Sequence, residues 1–234
     1  MKTLENKVAI VTGASREIGA EMAFELAQAG ACVVVAHYGE SALAQQTAQR
    51  IHNAGGQAIV VESDGRQVSD CSDLVDAAVQ AFGRVDILAA NAGITRFGNF
   101  LTFDEATYDE VMDTNLKGSF FLAQAAARQM QAQGKTESGY RMVFSSSVAG
   151  QKGIPTVTAY GITKLGVTYL AKSLAAALAP YGVTANALII GPVVNARNLA
   201  TTPNYAENFG RVLPIGRVLY PSDVAAALMY LVSP

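Results

Sequence analysis

Short apolar runs and amphipathic stretches alternate along the whole chain. The first run, Lys7–Thr12, is apolar from Val8 to Val11 and stops at Gly13, the pattern of a strand buried on both faces. Ile18, Met22 and Leu26 then recur at helical spacing with alanines between them, which predicts a helix over Ile18–Ala29 ending at Gly30. The alternation continues with strands over Cys32–Ala36, Ala58–Val61, Val85–Ala90, Arg141–Ser145 and Val183–Ile190. Helices are predicted over Ala42–Ile51, Cys71–Phe82, Phe103 to about Gln133, Thr158–Ala179 and Ser222–Leu231, with a polar loop at Gly134–Gly139. Strand followed by helix throughout predicts an α/β doubly wound parallel sheet, a Rossmann fold. No repeat, low-complexity segment or linker interrupts it, so residues 1–234 are expected to form a single domain.

Composition narrows the function without naming it. Half of the 234 residues are hydrophobic and the net charge is −2, which gives no support to nucleic-acid or membrane-surface binding. No run approaches the roughly 20 apolar residues of a membrane helix, and no signal peptide precedes the first strand, so a cytoplasmic protein is expected. Cys32 and Cys71 lie in unrelated contexts without metal-ligand spacing, and are read as reduced thiols. Neither a metal site nor a flavin is indicated.

Candidate chemistry lies where strands end. Thr12–Gly19 joins the first strand to the first helix, where a pyrophosphate would meet backbone amides and the positive helix end. Gly13 permits the turn and Gly19 close packing; the spacing is wider than G-x-G-x-x-G. An acid ending the second strand commonly holds the ribose hydroxyl of NAD, whereas a base accommodates the phosphate of NADP. Here that strand ends His37-Tyr38 with no acid before Glu40, and Arg16 stands in the glycine turn, so NADP(H) is favoured over NAD(H). The other reading has Arg16 solvated and Glu40 folding back to do the acid's work. Further along, Tyr160 and Lys164 lie four apart on one helical face, and Ser147 follows the run Met142-Val143-Phe144. A phenol ordinarily titrates near pH ~10, and a neighbouring cation favours its phenolate, which suits it to exchange a proton with an alcohol or ketone.

Taken in order, Thr12-Gly13…Gly19, Asp64, Asn91-Ala92-Gly93, Asn115, Ser147 and Tyr160-x-x-x-Lys164 resemble the short-chain dehydrogenases/reductases over nearly the whole chain. The resemblance implies an oxidoreductase that moves a hydride between NADP(H) and a carbonyl or alcohol. It makes Tyr160 the general acid/base, Lys164 its electrostatic partner and the holder of the nicotinamide ribose, Ser147 the holder of the substrate oxygen, and Asn115 the support of a water. It gives cofactor contacts to Gly13, Ser15, Arg16, Ile18, Gly19, His37, Tyr38, Asp64, Gly65, Asn91, Ala92, Gly93, Gly191 and Val193, besides Tyr160 and Lys164. By resemblance, Asp64 would accept from the adenine amino group.

The chain departs from the family's pattern in three places. Glu17 stands where the glycine turn usually has another glycine, and is expected to point outward. After the sixth strand, Asn195 takes the place of a threonine and is expected to offer a polar contact to the cofactor. No seventh strand follows Met229–Pro234, so the sixth strand is expected at the sheet edge, with the supplied chain cut short or another subunit's edge compensating.

A mostly apolar pocket is expected from Ile94, Phe97, Gln151, Ile154, Val157, Leu199 and Tyr205, beneath a lid around 197–210. The substrate is expected to be a small ketone, alcohol, aldehyde or sugar, or an acyl thioester, since the nearest named branch is the 3-oxoacyl-[acyl-carrier-protein] reductases. Against that branch, Ser173–Gly182 has no base to dock an acidic carrier protein, although Arg128, Lys135 and Arg141 partly substitute. A catalytically silent regulator or scaffold would lack Tyr160 or Lys164, and both are present. Alanine-dense helices at Leu116–Met130 and Thr168–Leu178 suit the subunit contacts of a homodimer or homotetramer.

Overall fold

A computed structural model describes residues 3–233, with Arg197 and Thr201 as backbone only. Its six strands form one parallel sheet in the order β3-β2-β1-β4-β5-β6. They are β1 (Val8–Thr12), β2 (Cys32–His37), β3 (Gln57–Glu62), β4 (Ile87–Ala90), β5 (Tyr140–Ser147) and β6 (Val183–Ile190). The unbroken apolarity of β1 follows from two separate cores. Val8 and Ile10 enter the cluster on one face, and Ala9 and Val11 the cluster on the other. Helices α1 (Glu17–Gln28), α2 (Ser41–Asn53), α3 (Val68–Phe82), α4 (Glu105–Met112), α5 (Gly118–Ala132), α6 (Thr158–Leu178) and α9 (Pro221–Val232) cover the two faces. Two short helices, α7 (Ala196–Thr201) and α8 (Tyr205–Gly210), occupy the 197–210 segment that was expected to form a lid. Among the described residues β6 is an edge strand, as expected, and no helix is long and apolar enough to cross a membrane.

Several predicted boundaries move by a few residues, and three of the changes have a local reason. β4 starts two residues late because the Gln133 side chain takes the backbone of Val85, accepting its N–H at 2.8 Å and donating to its carbonyl at 2.9 Å. β5 extends to Ser147, paired in register with Ile190. The long helix expected from Phe103 to Gln133 is broken into α4 and α5 by a π turn over Asp113–Lys117, an irregularity that often marks a functional position.

The strand order reverses direction between β1 and β4, and the crevice outside the carboxyl ends of these strands is where α/β sheets bind ligands. Thr12 fastens that point. Its hydroxyl oxygen accepts from the backbone N–H groups of Asn91 and Ala92, each at 3.0 Å. Asn91 returns its side-chain amide to the Thr12 carbonyl at 3.1 Å. Replacing Thr12 by the isosteric valine leaves two backbone donors without an acceptor, so Thr12→Val is expected to lose about 2 kcal/mol of unfolding free energy or more in denaturant titration. Thr12→Ser, which keeps the oxygen, should lose about 1 kcal/mol for its deleted methyl.

Candidate active site

One cleft of about 870 Å³ opens along the carboxyl ends of the strands, within the size range of small-ligand sites. At its floor the chain leaves β1 through Gly13, in the left-handed region at φ 62°, and enters α1. Gly19 is required there, since a Cβ on it would stand 2.1 Å from the Gly13 carbonyl oxygen. Ser15, Arg16, Ile18 and Gly19 line this part of the cleft, at the positive end of α1. Thr47 on α2 ties the turn down by donating to the Ser15 carbonyl at 3.1 Å.

Glu17 was expected to point outward, and the structure turns it across the cleft mouth instead. Its carboxylate accepts the Ala196 N–H of α7 at 2.7 Å. The cause is backbone geometry. At φ 53° residue 17 sits in the left-handed region that glycine adopts without penalty, and this redirects its side chain. Asn195 lines the cleft but commits its side-chain oxygen to capping α7, at 2.7 Å from the Asn198 N–H.

The far wall holds both kinds of charge. Glu40 accepts the Ser15 hydroxyl and pairs with Arg16 at 2.8 Å. Thus Glu40 does fold back, onto an Arg16 whose side chain stays largely in solvent, 58% exposed. His37, buried at the end of β2, accepts the Glu40 N–H on Nδ1 at 3.3 Å. Asp64 holds Arg66 through both oxygens, from 2.7 to 3.0 Å, and the Arg66 hydrogen bonds keep the Asp64 carboxyl below its usual range. Arg66 also donates to the Tyr38 hydroxyl at 2.9 Å. Arg66 lines the cleft and was not singled out in the sequence, where a base after Asp64-Gly65 carries no motif. Gly65, Ala92, Gly93, Gly191 and Val193 also line the cleft.

Three consecutive serines build the other end, each with a different task. The Ser145 carbonyl accepts the Lys164 ammonium at 2.7 Å, and its hydroxyl donates to Asn91 Oδ1 at 3.0 Å. The Ser146 hydroxyl donates to the Lys164 carbonyl at 2.7 Å, which seats α6 on β5. Ser147 lines the cleft, its oxygen accepting the Ala149 N–H at 3.2 Å. The turn after it presses so closely on α6 that a Cβ on Gly161 would lie 2.7 Å from the Ala149 carbonyl oxygen. Tyr160 and Lys164 follow on α6, both facing the cleft, with the ammonium 5.5 Å from the Tyr160 ring centre. Lys164 is 5% exposed, and burial pushes its pKa down to about 8.

Asn115 lies behind this wall rather than on it. Its amide accepts the Ile94 N–H at 2.8 Å and donates to the Ile94 carbonyl at 2.9 Å and to Thr163 at 3.1 Å. The π turn leaves its backbone carbonyl to the Ser119 hydroxyl at 2.7 Å. Of the residues expected at the substrate end, Ile94, Phe97, Ile154, Val157 and Tyr205 line the cleft, joined by Thr95, Glu110, Asn198, Thr202 and Phe209. Gln151 and Leu199 are not among the lining residues. Among the described residues no cluster of three or more His, Cys, Asp or Glu is arranged to hold a metal.

Comparison with known proteins agrees with this geometry. A family model described as short chain dehydrogenase matches residues 7–205. L-rhamnose 1-dehydrogenase (NAD(P)(+)) of Azotobacter vinelandii is 40% identical over 98% of this chain and 91% of its own. A 3-oxoacyl-[acyl-carrier-protein] reductase of Staphylococcus aureus is 35% identical over 97% of this chain and 91% of its own. A solved short chain dehydrogenase from Burkholderia cenocepacia in complex with NADP superposes with a TM-score of 0.92 at 30% identity, covering 99% of this chain and 92% of that one.

The buried amine makes stability depend on pH. The folded chain holds the Lys164 proton less tightly than the unfolded chain does, so burying the charged form costs stability everywhere below about pH 8. That cost is relieved as pH rises from about 8 towards 10.5, because the unfolded amine still binds a proton there. In the cofactor-free protein, the unfolding free energy of wild type should therefore gain on that of Lys164→Met across this window, by up to roughly 3 kcal/mol. Parallel curves for the two proteins would show that the amine is not held in this way.

Proposed function

The chain belongs to the short-chain dehydrogenases, and from that premise we propose that it interconverts a hydroxyl and a carbonyl on a small sugar-like substrate, with NADP(H) and NAD(H) both accepted. The observation that carries the reading is the Lys164 ammonium, buried on the Ser145 carbonyl beside the Tyr160 ring, with Ser147 in the same cleft.

A bound nicotinamide dinucleotide supplies the hydride chemistry. The residues present fit such a group, with Asp64, Arg66 and Tyr38 at one end, a buried amine at the other, and a helix N-terminus and a glycine floor between them. Gly13, Ser15, Arg16, Ile18 and Gly19 hold its phosphates, while Asn91, Ala92, Gly93, Gly191 and Val193 form its bed. His37, Tyr38, Asp64 and Gly65 enclose the adenosine end. Tyr160 takes the proton of the substrate hydroxyl during oxidation and returns it during reduction. Lys164, charged at neutral pH, stabilises the phenolate that this exchange requires. Ser147 donates its hydroxyl to the substrate oxygen, and Asn115 supports Lys164 from behind.

The substrate class rests on two supports. One is the 40% identity to an L-rhamnose 1-dehydrogenase. The other is the lining of the cleft, where Thr95, Glu110, Asn198 and Thr202 offer hydrogen-bonding groups beside Phe97, Ile154 and Phe209. A deoxy aldose, hydroxylated around the ring and apolar at its methyl group, suits that mixture. On cofactors, the charge of Arg16 supports NADP(H), and the carboxylate upon it supports NAD(H). The free thiols Cys32 and Cys71 support a reducing compartment, the cytoplasm.

We further propose a homodimer or homotetramer. On α6, Ile162, Leu165 and Tyr169 stand exposed along one stripe, the last at 72%, and Phe120 on α5 is exposed too. Leu165→Glu is expected to shift sedimentation velocity towards monomer. An unchanged sedimentation coefficient would place any assembly elsewhere.

The functional test is reduction of NAD(P)+ by L-rhamnose and a panel of aldoses, with carbonyl reduction of small ketones and an acetoacetyl thioester in parallel. Oxidation of an aldose is expected, with Tyr160→Phe reducing turnover by about 10²–10⁴-fold while cofactor still binds. Turnover of the thioester alone would move the protein to the acyl-carrier-protein reductases. Cofactor binding without turnover on any substrate would instead favour a regulator.

A further inference from the structure

Glu17 opens α1 at the glycine turn, yet its carboxylate binds the start of α7, accepting the Ala196 N–H at 2.7 Å. At φ 53° the position is strained for any side chain, and glycine would hold the same turn without that penalty. A carboxylate lining the cleft at a helix N-terminus also disfavours an anionic ligand there. Against both disadvantages stands the contact with α7. The start of that helix needs an acceptor. Asn195 caps it by taking the Asn198 N–H at 2.7 Å, which leaves the Ala196 N–H to a group from elsewhere. At its root the segment is held to its own surroundings, Val194 donating to the Leu219 carbonyl at 2.8 Å and Asn198 to the Val193 carbonyl at 3.1 Å. Beyond the root, Asn198 and Thr202 line the cleft, followed by Tyr205 and Phe209, whose rings meet at 4.8 Å. Glu17 thus ties to the glycine floor the segment that carries these four groups.

We propose that Glu17 is a positioning residue for the substrate, fixing the α7 segment so that Asn198 and Thr202 are in place for sugar hydroxyls before the sugar binds. The inference rests on the substrate reading above. Groups held in place beforehand lose less conformational freedom on binding, so the tie strengthens substrate binding without touching the reacting atoms. Proton exchange on Tyr160 and the charge of Lys164 do not involve Glu17. Its removal therefore weakens binding of the sugar and leaves the chemical step as it was.

The test compares wild type with Glu17→Gly, which removes the carboxylate and relieves the backbone, and with Glu17→Gln, which keeps an oxygen able to accept from Ala196. Thermal melting shows that each variant folds. In the cofactor-free proteins, hydrogen–deuterium exchange of peptides covering 196–210 is expected to run about tenfold faster in Glu17→Gly and near the wild-type rate in Glu17→Gln. At saturating NAD+, the KM for L-rhamnose should rise about 5- to 10-fold in Glu17→Gly with kcat within about twofold, and Glu17→Gln should restore most of it. Calorimetric NAD+ affinity should stay within about threefold of wild type or rise, since an anion has left the cleft. Unchanged exchange in Glu17→Gly would overturn the tie. Faster exchange with an unchanged KM would overturn its role for the substrate. Faster exchange in a protein that oxidises no aldose would uphold the tie and overturn the sugar reading.

Discussion

The candidate site depends on a single ammonium group taken out of water. Burying Lys164 is unfavourable unless its charge is answered at short range, and the answer is the Ser145 carbonyl at 2.7 Å. That contact requires α6 to lie close against the end of β5, which explains several otherwise separate details. The Ser146 hydroxyl seats α6 by its backbone, and Gly161 lets the turn after Ser147 approach the helix. Asn115 joins the other side, linking Ile94 after β4 to Thr163 on α6 through one amide. The π turn between α4 and α5 follows, since it places that amide between two elements an ordinary helix would pass by. Tyr160 then stands beside a cation in a site of low dielectric, where the cation acts on the phenol more strongly than it would in water.

How much of this was legible in the sequence depends on the range over which each feature is encoded. The doubly wound sheet was readable because burial on both faces leaves continuous apolar runs, and each helix carries its own period. Ser147, Tyr160 and Lys164 could be placed because they lie close along the chain, on one strand end and one helix. Ser145 and Ser146 gave no sign of their separate tasks, since those depend on partners 18, 19 and 54 residues away. Nor could the π turn be read. Nothing in Asp113–Lys117 departs from a helical pattern, and the cause of the turn lies in Ile94 and Thr163. Arg66 was hidden for a similar reason, because its position beside Tyr38 comes from the pairing of β2 with β3.

Glu17 shows the opposite case, a local departure that was noticed but misread. A non-glycine residue in the left-handed region costs roughly 1–2 kcal/mol. The carboxylate recovers about 0.3–1 kcal/mol from the dipole of α1 and about 1.5–3 kcal/mol from a charge-assisted hydrogen bond, with the lower end apt for its exposed contact to Ala196. These contributions nearly cancel, so stability does not explain the residue. What remains is geometry. Glu17 ties the glycine turn to the start of α7, two segments 179 residues apart that border the same cleft. Glu40 ties the same turn to the loop after β2. Three donors in and beside the turn, the Ala196 N–H, the Ser15 hydroxyl and the Arg16 guanidinium, are thus answered by two of the chain's own carboxylates, and an anionic ligand that used them would meet an exchange of partners rather than an open field of positive charge. Affinity at this part of the cleft is then governed less by how many donors surround the ligand than by how readily two carboxylates give them up.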